Sequence, residues 1–141
     1  MDRRRLTDDR LARVPLFEGL SKRQLAQISG LMTSVELSAG KVLARQGEIG
    51  REFVILHDGE VEVARDGKII AVRGPGEYLG EIALLDARPR TATVTAKTDL
   101  TADVLSRAEF VTLLADAPEL SSRIMATIAR RLAELDSESN L

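Results

Sequence analysis

The residue types most suited to chemistry fall in one run, Tyr78-Leu79-Gly80-Glu81-Ile82-Ala83-Leu84-Leu85-Asp86-Ala87-Arg88-Pro89-Arg90-Thr91-Ala92-Thr93-Val94. Gly80, with no side chain, lets the backbone approach a ligand closely. If Glu81 to Leu85 form one helical turn, its first amides are unpaired and point the same way, which makes an anion site. Arg90, directly after Pro89, adds a positive charge and a planar fork of donors matched to two phosphate oxygens. Glu81 would repel a phosphate and is more sensibly an acceptor for a sugar hydroxyl. Together these groups suit a cyclic phosphodiester.

Other chemistries find little support. The chain has no cysteine and a single histidine, His57. Disulfides, thiolate nucleophiles and histidine-rich metal sites are therefore excluded within one chain. A lone histidine beside an apolar strand and a turn is usually structural, and nucleophile–base catalysis would have to rely on it without a supporting motif. Gly74-Pro75-Gly76 is no dinucleotide fingerprint, because a proline occupies the turn and the spacing to Gly80 is wrong. Arg3-Arg4-Arg5 reads as a solvated charge run. Asp8 and Asp9 suit the positive end of a helix. Twenty basic residues against twenty-two acidic ones leave a formal charge of −2, without the basic excess that draws a protein to nucleic acid. No apolar stretch approaches the roughly 18–20 residues of a membrane span. The charged start, with no apolar run behind it, is not a secretory signal. A soluble cytoplasmic protein is expected.

Short elements must position the run. Thr7 to Val14 predicts a helix with Thr7 as its cap and Pro15 as its stop. Ser21-Lys22-Arg23-Gln24 fits a capping box and opens a second helix, with Leu25, Ile28 and Leu31 on one face. From Val35 the pattern changes to short apolar or alternating stretches separated by glycine turns: 35–37, 42–44, 53–56, 61–64, 69–72, 91–96 and 100–105. Asp66-Gly67 between two of them is a strong hairpin signal. Evenly spaced short strands of this kind point to a β-barrel or jelly roll. Ser106-Arg107-Ala108-Glu109 is another capping box. Pro118 opens a last helix to about Leu135, with Leu120, Ile124, Ile128, Leu132 and Leu135 as one stripe. With 141 residues and no linker or repeat, one domain is expected: helices over 1–34, a β-roll over 35–105, helices over 106–141.

The run over 78–94 resembles the phosphate-binding cassette of the cyclic nucleotide-binding domain family, which includes catabolite activators, regulatory subunits of cyclic-AMP-dependent kinase and nucleotide-gated channels. The resemblance extends over nearly the whole chain. Val14-Pro15-Leu16-Phe17 with Gly19-Leu20-Ser21 is similar to the family's N-terminal helical signature. Gln46-Gly47-Glu48 and Asp58-Gly59 fall at its glycine turns, and Arg130-Arg131-Leu132 resembles its C-terminal helix. The resemblance implies a mainly β fold with flanking α-helices, namely an antiparallel double-stranded β-helix (jelly roll) with N-terminal helices and a C-terminal helix. It implies a non-enzymatic sensor for cyclic AMP, with cyclic GMP as the second candidate and no metal. Glu81 would accept from the ribose 2′-hydroxyl, Arg90 would pair with exocyclic phosphate oxygens, and the amides of Ala83 and Thr91 would donate to the same phosphate. Gly80 would lie against the ribose, with Ile82 in the same turn. The Thr91 hydroxyl could reach the 2-amino group of a syn guanine. Val72, Leu79 and Leu84 are candidates for the apolar wall of a base pocket.

The chain departs from the family pattern in two places. Where catabolite activators carry a base-reading hydroxyl on the long dimer helix, the nearest match is Leu135, so Leu132 and Leu135 imply a nonpolar cap over the base. Only Asp136 to Leu141 follow the last helix, so no helix-turn-helix domain is expected, and neither direct nucleic-acid nor membrane contact. The implied partners are the nucleotide and either a second copy through the C-terminal helix or an effector protein. Three rival readings remain: a ligand-free β-roll serving as a dimerisation module, the sensor fragment of a longer transcription regulator, and a cupin-like metal enzyme. The single histidine argues against the last.

Overall fold

The computed structural model describes residues 3–139. They group into two compact units, Leu31–Phe110 and a helical unit drawn from Met1–Gly30 and Val111–Leu141. Among the described residues no helix is long and apolar enough to cross a membrane.

The first unit contains eight strands: β1 (Thr33–Leu37), β2 (Val42–Ala44), β3 (Glu52–Asp58), β4 (Val61–Arg65), β5 (Lys68–Arg73), β6 (Tyr78–Leu79), β7 (Thr93–Ala96) and β8 (Leu100–Ser106). They form two four-stranded sheets, ordered β1-β8-β3-β6 and β2-β7-β4-β5, with every pair antiparallel. The pairs β4·β5, β3·β6, β2·β7 and β1·β8 are nested, as in one long hairpin rolled up. Further pairing of β8 with β3 and of β7 with β4 closes each sheet. This is a jelly roll.

Alternation along the strands explains what fills it. Leu56, Val61, Val94, Ala96, Leu100 and Ala102 make a buried cluster, against which Val35, Leu37, Leu43, Ala44, Val54, Val63 and Leu79 pack. This cluster is wholly aliphatic, while the three phenylalanines, Phe17, Phe53 and Phe110, are buried elsewhere. Each such large side chain contributes about 1.5–3 kcal/mol when fully buried. The β4–β5 hairpin turns at Asp66 and Gly67, both at positive φ (53° and 79°), the geometry whose twist matches its strands. β6 has only two residues, too short for any alternation to show.

Between Leu56 and Asp58 the β3–β8 register shifts, and His57 occupies the irregularity. Its Nε2 lies 2.6 Å from Asp103 Oδ2, and both side chains are buried. A carboxylate taken out of water needs such a partner, so His57 serves the sheet and presents nothing to solvent.

Ser106 ends β8 and caps α3 (Arg107–Asp116): its Oγ accepts from the Glu109 amide at 3.1 Å, and Glu109 Oε1 accepts from the Ser106 amide at 3.3 Å. The capping box at Ser21 forms likewise, starting α2 (Lys22–Ser29). The first helix departs from expectation. α1 runs Arg3–Leu11, so Thr7 lies within it, and Pro15 opens a 3₁₀ turn, Pro15–Phe17, instead of stopping a helix. Arginine is a good helix former, which lets the helix begin upstream of the threonine.

The last helix, α4, spans Pro118–Ser139. Its expected single stripe divides. Leu120 and Ile124 are buried together with Thr127, whereas Met125 and Leu132 are 62% and 61% exposed. At about 100° per residue, Leu132 has drifted from the line of Leu120 and Ile124 towards that of Met125. On a third line, Arg123 donates to the Gly19 carbonyl at 3.0 Å, and Arg130 forms a 2.8 Å ion pair with Glu18. The Leu135 side chain lies outside what the structure describes.

Candidate functional site

Gly80 has φ 80° and ψ 25°, a left-handed conformation, and it caps a 3₁₀ turn over Glu81–Leu84. The chain then returns as Arg88-Pro89-Arg90 alongside the loop 47–50. The Gly50 amide donates to the Arg88 carbonyl at 3.0 Å, the Arg90 amide to Glu48 at 2.7 Å, and the Gly47 amide to Arg90 at 2.8 Å. Ile49 and Pro89 form a bridge between them. Arg90 is thereby fixed at its backbone before its side chain does anything.

The side chain is also held. Arg90 Nη2 donates to the Glu52 carbonyl of β3 at 2.9 Å. A Cβ at Gly80 would lie 2.5 Å from Arg90 Nη1 and 2.6 Å from that same carbonyl oxygen. Burial pushes the Arg90 pKa down, and the Glu52 carboxylate opposes the push. The group keeps its proton, since an arginine starts far above neutrality. The result is a half-buried cation beside a tight turn, oriented by one carbonyl.

Gly80, Glu81, Ile82 and Ala83 therefore stand in one turn, and Gly80 meets Arg90 directly. The Ala83 amide, expected to face a phosphate, donates to the Gly80 carbonyl at 3.0 Å. Ile82 is 55% exposed, an unusual posture for isoleucine. Thr91 is exposed, and its carbonyl accepts from Arg65 Nε at 3.1 Å. Leu84 is 1% exposed and serves the interior, whereas Leu79 is only partly buried where it packs on the core cluster. Val72 lies on the edge strand β5, exposed together with Ile69 and Ile70. Leu132 belongs to the helical unit. Among the described residues no three potential ligands gather as a metal site would require.

Several contacts at the site are not legible in the sequence. The β4–β5 turn braces the cassette's end: Gln46 and Asp66 exchange two 2.8 Å hydrogen bonds, and the Gln46 amide donates to Thr93 Oγ1 at 3.0 Å. Glu52 contributes through its carbonyl, which no side-chain motif reveals. Gly50 lies in no motif that would mark it in the sequence.

Residues 34–117 match the family model described as "Cyclic nucleotide-binding domain". The chain belongs to that family. A cyclic nucleotide-binding domain of this kind is similar to the cAMP-dependent protein kinase regulatory subunit of Schizosaccharomyces pombe, at 37% identity over 83% of this chain and 29% of the relative. It is similar also to the CRP-like cAMP-activated global transcriptional regulator of Mycobacterium tuberculosis, at 30% identity over 89% of this chain and 58% of the relative. The chain thus spans less than two thirds of either protein. Among solved structures, the N-terminal domain of a transcriptional regulator from Streptomyces coelicolor superimposes with a TM-score of 0.83 at 34% identity, covering 93% of this chain and 94% of that one.

Proposed function

We propose that this domain is a cytoplasmic sensor that binds cyclic AMP, accepts cyclic GMP, and signals by repositioning its C-terminal helix. It works by binding and not by catalysis. The observation that supports this reading best is the Arg90 guanidinium, held at the cassette's end by the Glu52 carbonyl beside a left-handed Gly80. An oriented, partly desolvated guanidinium binds an anionic phosphate more tightly than a free one, because less ordering remains to be done. Glu81 takes the ribose 2′-hydroxyl. The Ala83 and Thr91 amides serve the phosphate, the former by sharing the proton it gives Gly80. Ile82, Val72 and Leu79 belong to the apolar surroundings of the base, and Leu132 and Leu135 either cap the base or meet a second helix. The whole chain over 1–141 acts as the single sensing domain. Met125 and Leu132 lie seven residues apart on one exposed face of α4, a spacing that suits a second helix from another copy or an effector.

Calorimetric titration of Arg90→Ala with cyclic AMP tests the reading. Losing one partner of a desolvated charge pair costs about 2–5 kcal/mol, on the order of 30-fold to several thousandfold in affinity. A variant with a wild-type circular dichroism spectrum that binds within about threefold of wild type would overturn it.

A further inference from the structure

Gly50 differs from the glycines around it. Its φ lies outside the left-handed region occupied by Gly47 and Gly80, so φ does not call for glycine there. A Cβ at position 50 would meet, as its three nearest atoms, only Arg90: Nε at 2.5 Å, Cζ at 2.8 Å and Cδ at 2.9 Å. Real Cβ atoms do not come so close to another atom. An alanine here would also restrict the unfolded chain and so favour folding slightly. A buried position with free φ that nevertheless carries glycine points to the one thing the missing methyl group would displace, which is the guanidinium.

We propose that Gly50 is a positioning residue for ligand binding, whose missing side chain sets where the Arg90 guanidinium rests. The inference rests on the reading of Arg90 as the phosphate-binding group. Arg90 Nη2 is tied to the Glu52 carbonyl on β3, while Gly50 and Arg88 hydrogen-bond through their backbones. The loop and the arginine are therefore joined at main-chain level and cannot separate to admit a methyl group. The side chain alone can yield, and yielding means leaving the Glu52 carbonyl. Gly80 approaches the same guanidinium at Nη1, so the group is confined at both its stem and its tip. Gly80 is required by its own backbone as well; Gly50 is required by the arginine only.

The test is Gly50→Ala, read by cyclic AMP titration and by thermal unfolding without ligand. The expected result is a Kd raised by about 10- to 100-fold, the scale of a roughly 1 Å misplacement of a polar group, with Tm equal to or above wild type. The same substitution in an Arg90→Lys background should add less than about threefold, because an ammonium on a flexible stem has no plane to be turned aside. Affinity within about threefold of wild type would overturn the inference, as would an equal loss in both backgrounds. A Tm lowered by more than a few degrees overturns it too, since that would show the fold itself needs the glycine. If Arg90→Ala abolishes binding while Gly50→Ala does not weaken it, the positioning role fails and the phosphate reading stands. If Arg90→Ala binds normally, the phosphate reading is what has failed.

Discussion

Replacing Gly80 with alanine should be among the most damaging single-methyl additions to this fold, and the reasons can be separated. The backbone at Gly80 has φ 80°, and an L-residue held there costs about 1–2 kcal/mol. The added Cβ would also stand 2.6 Å from the Glu52 carbonyl oxygen. That oxygen belongs to a strand paired on both sides, with β8 and with β6, and cannot retreat cheaply. Overpacking of this kind adds about 1–3 kcal/mol, for a total of about 2–5 kcal/mol. Gly47 supplies the control. Its φ is 86° but a Cβ there would meet nothing within 4 Å, so Gly47→Ala should cost only the conformational part. Urea unfolding of both variants, extrapolated linearly to water, measures the difference. Gly80→Ala should be the less stable of the two by about 1–3 kcal/mol. Equal losses would refute the claim that the Glu52 strand confines this turn.

Further outcomes follow from the site. If Glu81 takes the ribose hydroxyl, 2′-deoxy cyclic AMP should bind wild type more weakly than cyclic AMP does, and Glu81→Ala should add little to that loss; additive losses in the cycle would assign Glu81 another role. Thr91→Ala should weaken cyclic GMP by about 1 kcal/mol, the worth of one hydrogen bond, and leave cyclic AMP nearly untouched; equal losses would indicate a backbone effect. Saturating cyclic AMP should slow amide exchange between about Ile128 and Leu135 beyond the protection of the cassette, and unchanged exchange there would mean that α4 neither covers the base nor relays its presence. Leu132→Glu should reduce any self-association seen by sedimentation, because it places a charge on the exposed apolar face of α4; undiminished association would move the interface elsewhere.

What the sequence disclosed was local. Both capping boxes, the Asp66-Gly67 turn and the opening of α4 at Pro118 depend on residues within a few positions of one another, and all four formed. The start of α1 lies upstream of Thr7 because the arginines before it, good helix formers, outweigh the threonine's preference for a cap. The stripe on α4 was drawn too wide, since leucines at nearly helical spacing drift in angle while the pattern still looks continuous. The bracing of the cassette was out of reach for a different reason. Arg65 to Thr91, Gln46 to Asp66 and Arg90 to Glu52 join residues far apart in the chain, and two of the three use a carbonyl that every residue possesses. Gly50 shows the same limit, because one letter stands equally for a turn and for room left to a neighbour.

The nested pairing of the strands also bears on how the roll comes together. Only β4 and β5 meet across a turn of two residues; Val54 with Leu79, Ala44 with Val94 and Thr33 with Val104 lie progressively further apart along the chain. Closing the outermost pair first would mean ordering a loop that contains all the others. Once β4 and β5 have zipped, however, β3 and β6 are separated by a much shorter free length, and each later pair inherits the same advantage. Assembly should therefore proceed from the Asp66-Gly67 turn outward, with β1 and β8 last. A substitution that slows the tip of that hairpin should slow folding of the whole roll, whereas one in β1 should mainly quicken unfolding.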